Sequence, residues 1–280
     1  ASSQNKGNTF KQLLTNNVID REEFNKVRFH LNRISKRRML LHLLAGRAED
    51  RLVFDLQNQL AEHLGYQSSG YKKASELVMK SYYKSVNYII LFNEIMLKKL
   101  DPLQHKNTAI THTLPLYEYD NLLEIDQSYQ GNFLKHLFDP FIVFQNNKHL
   151  IGFGPNLLGL LDTNSKRINR SIREDKSTRD NFFTVLNGNN KVNRSLRLLN
   201  KCNILGKYIP SFGRVVAQMQ HDLFHIYTVD EHTLNVVENI RRFSKAKLKH
   251  EFPECHRIFT SFDKPYLLYF AAIFHDIAKG

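Results

Sequence analysis

The sequence has little cysteine. Two cysteines, Cys202 and Cys255, stand far apart in 280 residues and form no Cys-x-x-Cys pattern, which excludes a disulfide framework and a zinc ribbon. No apolar run reaches the roughly 18 residues that a membrane-spanning helix needs. No secretory signal opens the sequence. We therefore expect a cytoplasmic protein with no membrane partner.

Glycine and proline are also scarce, at 12 and 7 residues. This shortage of turn-forming residues favours long helices over a fold with many strands. The 42% hydrophobic and 24% charged residues exclude a wholly disordered chain. The length suits one large or two smaller domains with a sizeable core.

Acidic residues are outnumbered by basic ones, 27 to 40, which gives a formal net charge of +13. Such a balance is compatible with a partner that carries phosphates or an acidic surface. The charges are spread along the chain, however, which is typical of a solvated surface. No nucleic-acid-binding motif accompanies them, so we expect no nucleic acid as a partner.

The spacing of apolar residues predicts an all-α fold. Helical periodicity over residues 20–64 and 73–100 indicates an antiparallel helical bundle within residues 1–105. Residues 106–208 are predicted to form a mixed, mostly helical linker region, with one small hairpin around Asn146 and Asn147. Residues 209–280 form the third predicted region.

The third region contains the candidate chemistry. His232 lies in the first turn of a helix predicted over 230–243. His275 and Asp276 interrupt the almost wholly apolar stretch 266–277 of a second predicted helix, which starts at a cap, Ser261 or Asp263. Burying a carboxylate costs several kcal/mol unless it is paired or binds a metal. Imidazole and carboxylate together are common ligands of catalytic divalent metals. From these residues alone, a metal site and a structural His-Asp pair both remain open.

His232 followed by His275-Asp276 resembles the first part of the H…HD…D motif of HD-type phosphohydrolase domains. A closer resemblance is to the family of bifunctional P-II uridylyltransferase/uridylyl-removing enzymes of bacterial nitrogen sensing. It is carried by "FGRVVAQMQHDLFHIYTVDEHTLNVV", "LLYFAAIFHDIAKG", "LHLLAGRAEDRLVFDLQNQLAEHLGY" and "LLNKCNILGKYIPSFGRV".

The resemblance implies a function. His232, His275 and Asp276 would bind a divalent metal, Mg or Mn, at the start of an HD domain that removes UMP from the nitrogen-regulatory P-II protein. The P-II protein and its uridylylated form would be the partners. Lys279 would face the phosphate, or only complement the helix dipole. His225 would also contact the phosphate, whereas His221 would be structural.

The resemblance also implies a central fragment. The nucleotidyltransferase signature, the last metal-binding Asp and the ACT regions that sense glutamine are not found in the sequence. We therefore expect weak metal binding and little hydrolysis from these residues by themselves. Two alternatives stay open: a basic, all-helical interaction module, and an HD phosphohydrolase that acts on nucleotides.

Overall fold

The computed structural model describes residues 9–70, 72–100, 106–109, 114–219 and 227–280. Most of these residues are helical, as the sequence predicts. The α-helices of the described residues are α1 Thr9–Thr15, α2 Arg21–Ala45, α3 Phe54–His63, α4 Ala74–Leu100, α5 Asp139–Asn146, α6 Pro155–Ser165, α7 Arg170–Glu174, α8 Lys176–Leu186, α9 Val192–Lys201, α10 Ile204–Tyr208, α11 Pro210–Val215, α12 Val229–Phe243, α13 Pro253–Thr260 and α14 Tyr266–Phe274.

The chain divides into two compact units, residues 1–92 and 93–280. The predicted division into three regions at residues 105 and 208 stays a prediction. Within the described residues, no helix combines the length and the apolarity that crossing a membrane requires.

The first unit is built around α2 and α4. Helix α2 begins with a capping box in which the Glu23 amide donates to Asp20 Oδ1 at 2.7 Å and the Glu23 carboxylate accepts from the Asp20 amide. Lys26 lies over the ring of Tyr88, and His30 contacts Ser85 at 3.1 Å. The residue number rises from Lys26 to His30 on α2, whereas that of the partner on α4 falls from Tyr88 to Ser85. The two helices are therefore antiparallel, as the bundle prediction requires.

The second unit contains a small sheet in the order β1-β2-β3-β4, with strands β1 Lys106–Ala109, β2 Leu116–Tyr119, β3 Leu122–Ile125 and β4 Gly152–Phe153. Strand β2 is antiparallel to both β1 and β3, and β4 is parallel to β3. In the β2–β3 hairpin, Leu116 pairs with Ile125 and Tyr119 with Leu122.

The predicted hairpin at Asn146 and Asn147 is wrong in position. Asn146 ends α5, and the Asn147 side chain donates to the Val143 carbonyl at 2.8 Å. The observed hairpin turns at Asp120 and Asn121, whose φ angles are 47° and 62°. A two-residue turn that matches the twist of its strands needs positive φ at both positions, and Asp and Asn tolerate this conformation.

The core of the second unit lies between this sheet and the surrounding helices. Its largest fully buried side chains are phenylalanines: Phe133, Phe138, Phe141, Phe144, Phe153 and Phe212. Buried Glu124 on β3 accepts hydrogen bonds from the amides of Asn156 and Leu157 at 3.0 and 2.7 Å. This carboxylate thereby caps α6 and fixes that helix against the sheet.

Candidate metal centre

Two chain segments bring the candidate ligands together. Helix α12 begins after Thr228, and its buried Leu234 and Val237 hold it against the core. His232 lies in the first turn, where its amide bonds to the Thr228 carbonyl at 2.8 Å. His275 and Asp276 directly follow α14, and a 3-10 turn over Ile277–Lys279 comes next.

The end of α14 differs from the sequence prediction of a helix continuing to residue 277. The α-helix ends at Phe274, and Asp276 has φ −112° and ψ 7°. The Ala272 carbonyl, one of the last in the helix, lies 2.6 Å from Nδ1 of His275. Helix-end carbonyls lack partners within the helix, and here a side chain supplies one.

Helix α14 is not buried all round, although an almost wholly apolar helix is typical of a protein core. Tyr269, Ala272 and Ile273 are buried, whereas Leu267 is 47% exposed and Phe274 is 37% exposed. The helix therefore packs on one face only. An apolar sequence indicates that a helix can be buried on every side. Which of its faces are covered depends on the neighbouring elements.

His232, His275 and Asp276 form one cluster. Their candidate ligand atoms all lie within 4.8 Å of one another. Oδ2 of Asp276 is 3.8 Å from Nε2 of His232 and 3.4 Å from Nε2 of His275, and the two imidazole rings are 5.5 Å apart at their centres.

The donor atoms suit a divalent cation. A carbonyl can only accept, so Nδ1 of His275 donates to Ala272, and in the neutral form of the ring the lone pair is on Nε2, which faces Asp276. This pattern is common among metal-binding histidines. The side chains of His232 and His275 are 41% and 37% exposed, and that of Asp276 is 14% exposed. The cluster is therefore open on one side, as a catalytic metal site is.

Lys279 is a direct neighbour of the cluster. Its Nζ lies 2.9 Å from Oδ2 of Asp276. Burial raises the pKa of Asp276, but the hydrogen bond from Lys279 and the neighbouring charges of His275, Lys279 and His232 outweigh burial and hold this pKa below its usual value. The carboxylate is thus ionised at neutral pH, in the form that binds a metal.

A short loop after α11 connects the two segments that carry the ligands. The side chain of buried Gln218 donates to the Lys279 carbonyl, and the main-chain carbonyl of Gln218 accepts from the Val229 amide at 2.8 Å. Buried Asp230 accepts from the Ala217 amide at 2.9 Å and from Asn200 at 2.8 Å. Gln218 and Asp230 therefore fix the position of the start of α12 relative to the turn after Asp276.

Sequence reasoning missed Gln218 and Asp230 as parts of this arrangement. Each is a polar residue next to apolar ones, and no periodicity distinguishes it from a surface residue. The predicted phosphate contact His225 and the structural assignment of His221 lie outside the described residues. The roles predicted for Lys279 and for the three metal ligands stay predictions.

Comparison with family models and with curated proteins points to one family of enzymes. The family model "GlnD PII-uridylyltransferase" matches residues 3–97, and "Uridylyltransferase GlnD third domain" matches residues 121–208. No solved structure matches the chain.

Similar curated proteins are called bifunctional uridylyltransferase/uridylyl-removing enzyme. The one from Ralstonia nicotianae is 37% identical over 98% of this chain and 32% of its own length. The one from Thiobacillus denitrificans is 41% identical over 88% of this chain and 29% of its length. The one from Burkholderia lata is 36% identical over 98% of this chain and 32% of its own length. The chain thus spans about a third of the length of these relatives.

Proposed function

Because this chain belongs to the family of bifunctional uridylyltransferase/uridylyl-removing enzymes, we propose that it carries part of the metal-dependent uridylyl-removing site. The reaction is hydrolysis of the phosphodiester that joins UMP to a tyrosine of the nitrogen-regulatory P-II protein. The partners are the P-II protein and its uridylylated form, and the location is the cytoplasm.

One observation carries this proposal: three candidate metal-ligand side chains from two separate segments have their ligand atoms within 4.8 Å of one another. In their neutral forms, His232 and His275 would each offer an imidazole nitrogen, and Asp276 offers a carboxylate oxygen. This mixed set fits Mg²⁺ or Mn²⁺ in the presence of water or phosphate oxygens. A divalent cation bound here would polarise the phosphodiester and lower the pKa of a bound water.

The residues around the ligands have defined roles in this proposal. The Ala272 carbonyl fixes the tautomer of His275 by accepting from its Nδ1. Lys279 keeps the Asp276 carboxylate ionised and oriented, and its ammonium group lies where it can also approach a phosphate oxygen. The exposed edges of His232 and His275 leave room for the substrate.

The Lys279–Asp276 ion pair favours a second candidate. Because an ammonium group already satisfies the carboxylate, the cluster can be stable without a metal, and the unit would then be a basic helical interaction module. In that case His275 and Asp276 are a structural pair.

Calorimetric titration with Mn²⁺ separates the two candidates. Wild type should bind Mn²⁺, and Asp276→Asn and His275→Ala should each weaken binding by at least about tenfold, since even outer-shell changes often cost this much. The matched control is His149→Ala, which removes an exposed imidazole paired with Glu118 at 2.9 Å far along the chain. Equal curves for wild type and Asp276→Asn would support the structural role and exclude the metal site.

The substrate class needs a separate assay. Any Mn²⁺-dependent release of UMP from uridylylated P-II protein should be lost in Asp276→Asn and retained in His149→Ala. Hydrolysis of free nucleotides, with none of the uridylylated protein, would instead favour the nucleotide phosphohydrolase alternative.

A further inference from the structure

The first unit contains a second cluster of charged groups, far in sequence from the predicted metal ligands. Arg33 and Arg37 lie one turn apart on α2, and both guanidinium groups converge on two hydroxyls. Arg37 Nη2 donates to Tyr66 Oη at 3.1 Å and to Ser81 Oγ at 2.8 Å. Arg33 Nη2 donates to Tyr66 Oη at 3.4 Å and also contacts Ser81 Oγ.

The charge of this cluster is not balanced. Within the described part of the chain, neither Arg33 nor Arg37 forms an ion pair with a carboxylate. The neighbouring Arg38, by contrast, makes two hydrogen bonds to Asp50 at 2.7 and 3.0 Å. Like charges one turn apart on a helix repel each other, so two adjacent cations without an anion destabilise this part of the unit.

Burial makes the imbalance more costly. Arg37 is only 5% exposed, and its Nε is buried with no hydrogen-bond partner. Burial lowers the pKa of this guanidinium, and the charge of Arg33 adds to the effect. A buried cation normally has a paired anion, since leaving it unpaired costs several kcal/mol.

The hydrogen bonds of the cluster leave a surplus of donors. The hydroxyl oxygens of Tyr66 and Ser81 each accept from two guanidinium groups. A hydroxyl oxygen has two lone pairs, so both are used, and each O–H group remains to donate. Guanidinium groups offer no acceptor. The four side chains therefore bring hydrogen-bond donors and two positive charges together in one cluster.

We propose that Arg33, Arg37, Tyr66 and Ser81 form a binding site for a phosphate ion or the phosphate group of a small monoester. A tetrahedral phosphate has enough acceptor oxygens for donors that arrive from two helices and a turn, and guanidinium groups bind it with charge-assisted hydrogen bonds. Arg33, Tyr66 and Ser81 are each partly exposed, so a ligand can reach the cluster. The inference is independent of the proposed metal centre.

The test measures ligand binding in the presence of EDTA, which removes any contribution from metal. The probes are inorganic phosphate, glycerol phosphate and acetate, each compared with chloride at equal ionic strength. Phosphorus NMR line broadening reports binding of the first two, and the thermal unfolding midpoint reports all three. Phosphate should raise the midpoint of the wild-type protein more than chloride does.

The variants identify the residues. Arg33→Met and Tyr66→Phe should each weaken phosphate binding about tenfold, because each loses a hydrogen bond to a charged ligand. Arg38→Met is the matched control. Arg38 lies five positions after Arg33 on the same helix, and its guanidinium already has a carboxylate partner, Asp50. This variant also loses a positive charge, and it should bind phosphate like wild type. Tyr66→Phe loses only an oxygen and tests the hydroxyl without changing charge.

The outcomes are decisive. Binding of both phosphate and glycerol phosphate supports a monoester ligand, and binding of phosphate alone supports the free ion. Three results would overturn the proposal: no response beyond that of chloride, an equal response to acetate, or a loss in Arg38→Met as large as that in Arg33→Met.

Discussion

Replacing Gln218 with methionine should weaken Mn²⁺ binding at the His232–His275–Asp276 cluster and leave the fold intact. Gln218 is 4% exposed, and its side chain holds the Lys279 carbonyl while its main chain holds the start of α12. Methionine keeps the length and the volume of glutamine but has no N–H donor. The variant therefore removes the side-chain hydrogen bond to the Lys279 carbonyl.

The magnitude follows from that bond. Leaving a buried acceptor without its donor costs about 1–3 kcal/mol, and the hydrogen bond from Gln218 to the Lys279 carbonyl is partly buried. If about 1–2 kcal/mol of this loss falls on the geometry of the metal-binding state, the dissociation constant for Mn²⁺ should rise by about fivefold to thirtyfold, since each 1.4 kcal/mol is tenfold.

The assay compares Gln218→Met with a matched variant, Gln145→Met. Gln145 is also 4% exposed, and its side chain donates to the Val185 carbonyl at 3.0 Å and to Ser195 at 3.1 Å, neither of which belongs to the cluster. Urea unfolding should show a similar loss of stability in both variants, and calorimetry should show weaker Mn²⁺ binding in Gln218→Met only. Equal Mn²⁺ affinities in the two variants would refute a positioning role for Gln218.

Three further substitutions test the fold. Gly213→Ala should destabilise the protein by about 1–3 kcal/mol in urea unfolding, because the new Cβ would lie 2.2 Å from the Gly206 carbonyl oxygen. Gly159→Ala, inside α6 with nothing within 4 Å of the new Cβ, should instead stabilise by up to about 1 kcal/mol, and the same sign for both would contradict the packing. The hydrogen bond from Arg38 lowers the pKa of Asp50 to about 2. Its stabilising contribution is therefore present above the unfolded-state pKa of about 4 and is lost as the pH falls towards 2. The thermal midpoint of Asp50→Asn should accordingly fall less between pH 5 and pH 2 than that of wild type, and parallel curves would exclude this pair as a source of acid sensitivity.

Helices were predictable where local signals agree with packing. The apolar spacing of residues 73–100 predicts a helix that the structure places at Ala74–Leu100, and α12 begins one residue before its predicted start at Asp230. In such segments the residues that favour the helix also supply its buried face. The periodicity of the sequence then reflects both the preference for a helix and the burial of one face.

The hairpin was misplaced because turn-forming residues occur in more than one setting. Asn146-Asn147 and Asp120-Asn121 are similar as sequences, yet the first pair follows a helix and the second joins paired strands. Only the strand pairing, which involves residues on both sides of the turn, distinguishes them. That information is not local.

The sequence by itself determined which residue types are available: a helical chain, two histidines and an aspartate at the ends of apolar segments, and a lysine close behind. The tertiary structure decided that His232 lies 3.8 Å from Asp276 across more than forty residues of chain, that Gln218 joins their two segments, and that α14 has an exposed face. Helix formation depends on interactions between near neighbours in sequence, whereas the distance between two helix ends, the burial of a carboxylate and the balance of charge around Arg37 depend on the packing of the whole unit.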